Sequence, residues 1–261
     1  MGLVALVPPA SCANGDDNRD VSRTIRLPPS GAAFDYQLGG DGPLPDDVTV
    51  VARDWQAGAP AGDGVYDICY VNAFQSQPSV EWPTEVVSDA EDPEWPGEFA
   101  IDLSTPGNRS LAAGAVEQML EQCAAKGFDA VEFDNLDTFT RFPQLGFGRA
   151  EAIEYATTIV GLAHVRGLAV GQKNTVELLG EPIGFDFAVV EQCGEYDECN
   201  AFADAYGELV FAIEYTTDGL AAACAALGDD ASVILRDLEL APADEVGHVY
   251  ETCRSSLALG G

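Results

Sequence analysis

The chain has 261 residues, with 44 Asp and Glu against 12 Lys and Arg for a formal net charge of −32, and 47% of it is hydrophobic. That length suits one α/β barrel or two small domains, and the apolar share excludes wholesale disorder. A field this negative repels phosphate backbones, which argues against nucleic acid as a partner and for a cationic one, although solubility alone accounts equally well for much of the surface charge.

The chain opens with "MGLVALVPPASCANGDDNRD", a short apolar run, small residues, Cys12 and a polar stretch. This resembles the tail of an export signal, with a cysteine near the place where lipoproteins are acylated. Residues 1–24 are therefore expected to be a leader remnant and flexible linker, Cys12 a candidate lipid anchor, and residues 25–261 a single domain. Without Cys12, six cysteines remain, an even set that suits an oxidising compartment and an extracellular or surface-anchored protein. No run of about 18 apolar residues follows, so no membrane-spanning helix is expected.

Eight β-rich segments then succeed one another at 33–38, 48–55, 66–73, 128–135, 168–174, 185–193, 209–215 and 232–240. Helical spacing of apolar residues appears at 110–127, 148–167, 198–207, 218–228 and 242–256, with Gly127, Gly167 and Gly207 placed to end helices before strands. Eight strands alternating with helices predict a (β/α)8 TIM barrel rather than an open doubly wound sheet. The helices after the first two strands are hard to see. The Pro-, Trp- and acid-rich stretch at 74–109 reads as a long loop of functional kind.

In "GFDAVEFDN", residues 127–135, outward-facing Val131 and Phe133 leave Ala130, Glu132 and Asp134 pointing into the barrel, with Asp134 at the C-terminal mouth where barrel enzymes do chemistry. Other strand ends are polar too: Asp35 and Gln37, Asp54, Tyr70 and Asn72, Asn135, Lys173 and Asn174, Glu191, Glu214 with Tyr215, and Asp237. One such end is a helix cap, but so many on one rim predict a binding site. His164 and His248 lie in helical patterns away from strand ends, which disfavours a histidine hydrolase or zinc site, and no Gly-rich phosphate loop follows a strand, so neither metal nor cofactor is expected. A carboxylate pair remains, and Asp134 with Glu191, two strands apart, suits glycoside cleavage. Lys173 is expected to pair with Glu132 or Asp134 and to lower that carboxylate's pKa. Trp55, Trp82 and Trp95 are candidate faces for sugar rings.

"FDYQLGG", "ICYVNA", "GFDAVEFDNLD", "GLAVGQKN" and "FDFAVVEQCGEYDEC", in that order, resemble glycoside hydrolase family 114, the endo-α-1,4-polygalactosaminidase family. The resemblance implies a (β/α)8 barrel that cuts galactosamine-containing polysaccharide, with Asp134 as nucleophile, Glu191 as acid/base, and Asp35, Tyr70, Lys173 and Asn174 binding substrate. A polycationic substrate would match the acidic rim. A monomer is expected. The alternatives are a non-catalytic carbohydrate-binding barrel and a hydrolase of another α-galactoside or amino-sugar polymer. Alternation turns Cys69 outward, toward the helix carrying Cys123; Cys193 and Cys199 close a short loop; Cys224 and Cys253 fall in the last two helices. The expected disulfides are therefore 69 with 123, 193 with 199, and 224 with 253.

Overall fold

Short runs of β-branched and aromatic residues form strands when their alternating side chains can enter two apolar layers at once. The computed structural model, which describes residues 24–58, 61–62, 64–228 and 231–254, shows this pattern repeated around a curled sheet. The expected leader and the Cys12 anchor lie outside the described residues. In chain order the strands are β1 (Phe34–Gln37), β2 (Val50–Asp54), β3 (Tyr66–Asn72), β4 (Gln75–Ser76), β5 (Val87–Glu91), β6 (Phe99–Ile101), β7 (Ala130–Asp134), β8 (Ala169–Lys173), β9 (Phe187–Glu191), β10 (Val210–Glu214), β11 (Ser232–Arg236) and β12 (Tyr250–Thr252). The helices are α1 (Pro106–Lys126), α2 (Thr138–Arg141), α3 (Arg149–His164), α4 (Cys199–Tyr206) and α5 (Thr217–Leu227).

The eight segments expected as strands are β1, β2, β3, β7, β8, β9, β10 and β11, and they pair in that order, all parallel. The sheet curls until β1 lies beside β11, where side chains bind the two edges. Ser232 Oγ donates to the Ala32 carbonyl at 2.8 Å, Tyr250 Oη to the Phe34 carbonyl at 2.9 Å, and the Arg236 guanidinium meets the Asp35 carboxylate and the Tyr36 carbonyl. The result is a TIM-type barrel whose first two connections show no helix among the described residues.

Period two divides the core. Phe34, Tyr36, Val50, Ala52, Ile68, Ala130, Ala169, Phe187, Val189, Phe211, Ile213 and Ile234 form one cluster inside the barrel. Val71, Val131, Phe133 and Val170 face outward against α1 and α3, and Val190, Ala212, Val233 and Leu235 against α4 and α5. Gly171 is required inside, since a Cβ there would stand 2.7 Å from the Phe187 ring. Helix α1 begins where Thr105 Oγ1 accepts from Asn108 N at 3.1 Å and Pro106 follows, and it ends at Gly127 with φ 98.

Two expectations need correction. Residues 74–109 are not one long loop, because β4, β6 and β5 form a small antiparallel sheet there, in that order. Residues 242–252 do not form the expected helix, and helical backbone begins only at Cys253. Arg236 donates to the Val249 and Ala241 carbonyls, and Asp237 accepts from Ala241 N and Val249 N, so tertiary partners take the backbone groups that a helix would pair internally. The chain then runs antiparallel to β11 as β12.

Three disulfides join Cys69 to Cys123, Cys193 to Cys199 and Cys224 to Cys253. In the third, Cys253 stands directly after strand β12, where the chain turns helical at Cys253 and Arg254. Trp55 and Trp82 are buried in the outer core, which removes them as sugar platforms, whereas Trp95 is 61% exposed.

Candidate active site

The C-terminal ends of β7, β8 and β9 are sharp corners. Asn135, Asn174, Thr175 and Gln192 all take left-handed backbone with φ between 45 and 62. Asn tolerates that region, whereas a β-branched Thr rarely enters it, and such strain concentrates at functional sites. Gln172 Nε2 holds the corner after β8 by donating to the carbonyls of Asn174 and Thr175 at 2.8 and 3.0 Å. These corners leave Asp134, Lys173 and Glu191 as the last inward residues of three adjacent strands.

Lys173 Nζ lies 2.8 Å from Glu191 Oε2 and 3.5 Å from Asp134 Oδ2, so those two carboxylate oxygens are no more than 6.3 Å apart, the sum of the two distances. The ammonium also sits 5.4 Å from the Tyr36 ring centroid and 5.8 Å from that of Tyr70. Three tyrosines address three carboxylates around it. Tyr70 Oη donates to Asp134 Oδ2 at 2.7 Å, Tyr36 Oη to Glu132 Oε1 at 2.7 Å, and Tyr215 Oη to Glu191 Oε1. Asn174 Oδ1 accepts from Glu191 N at 2.7 Å and fixes the end of β9.

The charges are set by these contacts. Burial opposes ionisation of Asp134, but Lys173, the Tyr70 hydroxyl and the Asn135 N–H outweigh it and hold the carboxyl below the usual range. Burial likewise works against the Lys173 charge, yet Asp134, Glu191 and Glu132 keep it well above its ordinary pKa. Glu132 goes the other way. It is fully buried below the rim, and burial pushes it up to about 8 against the pull of Lys173 and Tyr36. Its Oε2 has no hydrogen-bond partner among the described residues, as suits a neutral carboxyl. The arrangement thus holds one ionised aspartate and one glutamate about a shared cation, with a neutral acid beneath.

Of the residues expected to bind substrate, Tyr70, Glu132, Lys173, Asn174 and Tyr215 gather here, and Asp54 and Asn72 follow the inward parity of their strands nearby. Asn135 Nδ2 donates to Asn72 Oδ1 at 2.9 Å, and its own Oδ1 accepts from Arg141 Nη2 at 2.5 Å. Four expected residues serve elsewhere. Asp35 is sealed against Arg236, and Gln37 accepts from Arg53 Nε and Nη2, because Phe34 and Tyr36 take the inward positions of β1. Glu214 shares the outward parity of Val210 and Ala212, is fully buried, and accepts from Gly194 N at 2.7 Å. Asp237 caps the turn before β12.

Tyr36 was absent from the expected set, although the alternation of Phe34 and Tyr36 is a signal for it. Glu98 and Arg141 were also absent. They reach the site through tertiary contacts that no local pattern announces: Asn72 Nδ2 donates to Glu98 Oε2 at 2.9 Å, and Arg141 bridges Asn135 and Asp92.

Comparison with known proteins gives the same architecture. The family model described as glycoside-hydrolase family GH114 matches residues 15–258. An uncharacterised protein of Deinococcus radiodurans is 28% identical over 94 residues, which is 35% of this chain and 29% of that protein, so the match spans under a third of the relative's length. Among solved structures, Ega3 of Aspergillus fumigatus in complex with galactosamine superposes with a TM-score of 0.75 at 22% identity, covering 87% of this chain and 98% of that one. The glycoside hydrolase domain of PelA from Pseudomonas aeruginosa gives 0.62 at 14% identity, covering 84% and 98%. At these identities the likeness to the two structures is one of fold.

Proposed function

This chain belongs to glycoside-hydrolase family GH114, and from that premise we propose that it cleaves α-1,4-linked galactosamine-containing polysaccharide with retention, using Asp134 as nucleophile and Glu191 as acid/base. The observation that carries this reading is the separation of at most 6.3 Å between Asp134 Oδ2 and Glu191 Oε2. Retaining pairs stand about 5–5.5 Å apart, whereas inverting pairs leave roughly 6.5–9.5 Å for a water.

In the first step Glu191 gives its proton to the glycosidic oxygen while Asp134 attacks the anomeric carbon, breaking the sugar–oxygen bond and forming a glycosyl ester. In the second, Glu191 takes a proton from water, whose oxygen displaces Asp134 and restores both carboxyl groups. Lys173 and the Tyr70 hydroxyl keep Asp134 ionised for attack, and Tyr215 and Asn174 hold Glu191 in place. A partly deacetylated galactosamine polymer is polycationic, which suits a chain of charge −32. The galactosamine complex of Ega3 supports the choice of sugar. The three disulfides support a site of action outside the cytosol.

Asp134→Asn and Glu191→Gln should each abolish release of reducing ends from galactosamine polymer while leaving polymer binding nearly intact. Peptide mapping after rapid quench should find the sugar esterified to Asp134, and the first product should carry the α anomer by NMR. A β product, or wild-type activity in either variant, would remove this assignment.

A further inference from the structure

The small sheet of β4, β6 and β5 brings a carboxylate to the rim beside Asp134, on a turn that also carries an exposed ring. Asn72 is the register partner of Asp134 on the neighbouring strand, and its Nδ2 donates to Glu98 Oε2 at 2.9 Å. Trp95, 61% exposed, stands three residues away in the same turn, where Glu98 N donates to the Trp95 carbonyl at 3.0 Å and Asp92 N to the Glu98 carbonyl at 2.8 Å. The turn is anchored from below, because Asp92 Oδ2 accepts from Gln75 Nε2 at 2.9 Å and Arg141 Nη1 at 2.6 Å. A half-buried carboxylate thus lies next to the nucleophile assigned above, on a braced turn that also exposes an indole.

We propose that the β5–β6 turn is a substrate subsite specific for a protonated amino sugar, in which the Trp95 ring stacks on a pyranose face and the Glu98 carboxylate receives the ammonium. The inference rests on the glycosidase reading for the location of the chain being cut, and adds to it the part that distinguishes a free amine from an acetamide. An ammonium gives Glu98 a charge-assisted hydrogen bond, whereas an N-acetyl group offers a neutral amide and sets a carbonyl oxygen against an acid. Burial, and after it the charge of Asp134, push Glu98 up to about 7 even with the Asn72 hydrogen bond opposing, so an incoming cation relieves an unfavourable charge. The indole contributes to either sugar, since stacking is indifferent to the amine.

Binding of α-1,4-linked galactosamine oligosaccharides, fully deacetylated or fully N-acetylated, should be measured by calorimetry in an Asp134→Asn background to prevent turnover. Adding Glu98→Gln should weaken the deacetylated ligand by about tenfold, as expected for loss of one half-buried charge contact, and leave the acetylated ligand within about twofold. Trp95→Ala should weaken both ligands. Glu94→Gln removes the same charge from the same turn and should change neither. Equal loss of both ligands in Glu98→Gln, no loss in it, or an equal loss in Glu94→Gln would each overturn the subsite. Reducing-end assays of the wild type separate the two proposals. A chain that binds as described but cuts nothing retains the subsite and loses the hydrolase reading, and one that cuts without this ligand discrimination does the reverse.

Discussion

Lys173 Nζ lies 2.8 Å from Glu191 Oε2, across the pairing of β8 with β9, in a setting where the lysine side chain is only 2% exposed. A buried cation is tolerated because anions surround it, and here it also meets Asp134 on the opposite neighbouring strand. One ammonium therefore fixes the spacing of the two carboxyl groups and keeps the aspartate charged. Lys173→Met should destabilise the fold by roughly 3–5 kcal/mol, because it leaves buried carboxylates without their cation. Its kcat should fall at least about 100-fold, and the acid limb of its pH profile should move up as Asp134 becomes harder to ionise. Lys173→Arg should restore little, since a planar fork does not replace a compact ammonium. Thermal melts and pH–rate profiles of both variants test this, and an unmoved acid limb would detach Lys173 from Asp134.

The tyrosines on the two carboxyl groups should separate by leaving group. Tyr215 contacts Glu191, the group assigned to protonate the departing oxygen, so Tyr215→Phe should slow polymer cleavage by about tenfold or more. An aryl glycoside whose leaving group needs no proton should be nearly indifferent to that change. Tyr70 instead donates to Asp134, so Tyr70→Phe should slow the first step with either substrate. A matching loss on both substrates in Tyr215→Phe would argue against the assigned division of roles.

The disulfides differ in the length of chain they close. Cys69–Cys123 spans 54 residues and ties β3 to α1, whereas Cys193–Cys199 spans 6. Loop-closure entropy assigns about 4 kcal/mol to the first and about 2 kcal/mol to the second. Replacing the first pair with alanine should therefore lower Tm more. Replacing the second should matter more for kcat, since its loop begins two residues after Glu191 and includes the Gly194 N–H that binds Glu214. Calorimetry and reducing-end release on the two double variants check both statements.

Where the sequence was legible, period two was the reason. All eight barrel strands, the inward turn of Glu132 and Asp134, and the outward turn of Cys69 follow from alternation that packing then enforces from both sides. The same rule, applied to β1 and β10, places Tyr36 inside and Glu214 outside, because their parity is fixed by Phe34 and by Val210 and Ala212, whereas a polar residue near a strand end carries no parity of its own. Glu98 and Arg141 are different in kind. They enter through the β5–β6 turn and the short α2, whose position depends on the Arg141–Asp92 pair, and nothing within either segment encodes where it docks. Residues 242–252 stay out of a helix for a related reason, because helical spacing is a weak preference that Arg236 and Asp237 override.

Glu132 should give the protein a pH-dependent stability of definite sign. The groups facing it are Tyr36 from β1, Asp134 on its own strand, Lys173 from β8 and Glu191 from β9. Its ordinary value is 4.5 and burial raises it to about 8 in the folded chain. Between those two values the folded state holds a proton that the unfolded chain has released, so stability is greatest near the lower value and declines as pH rises through the window. Glu132→Gln keeps the Tyr36 hydrogen bond and removes the titration. Its Tm should lie close to that of the wild type at pH 5, and the difference in its favour should widen steadily up to about pH 8 and level off above it. Asp134 contributes in the opposite sense, since its depressed value is lost only as pH falls below the carboxylate range, and this leaves the interval from 5 to 9 to Glu132 once variant and wild type are subtracted. Calorimetric melts at five or so pH values are enough, and parallel curves across that interval would show that Glu132 is not held neutral by the fold.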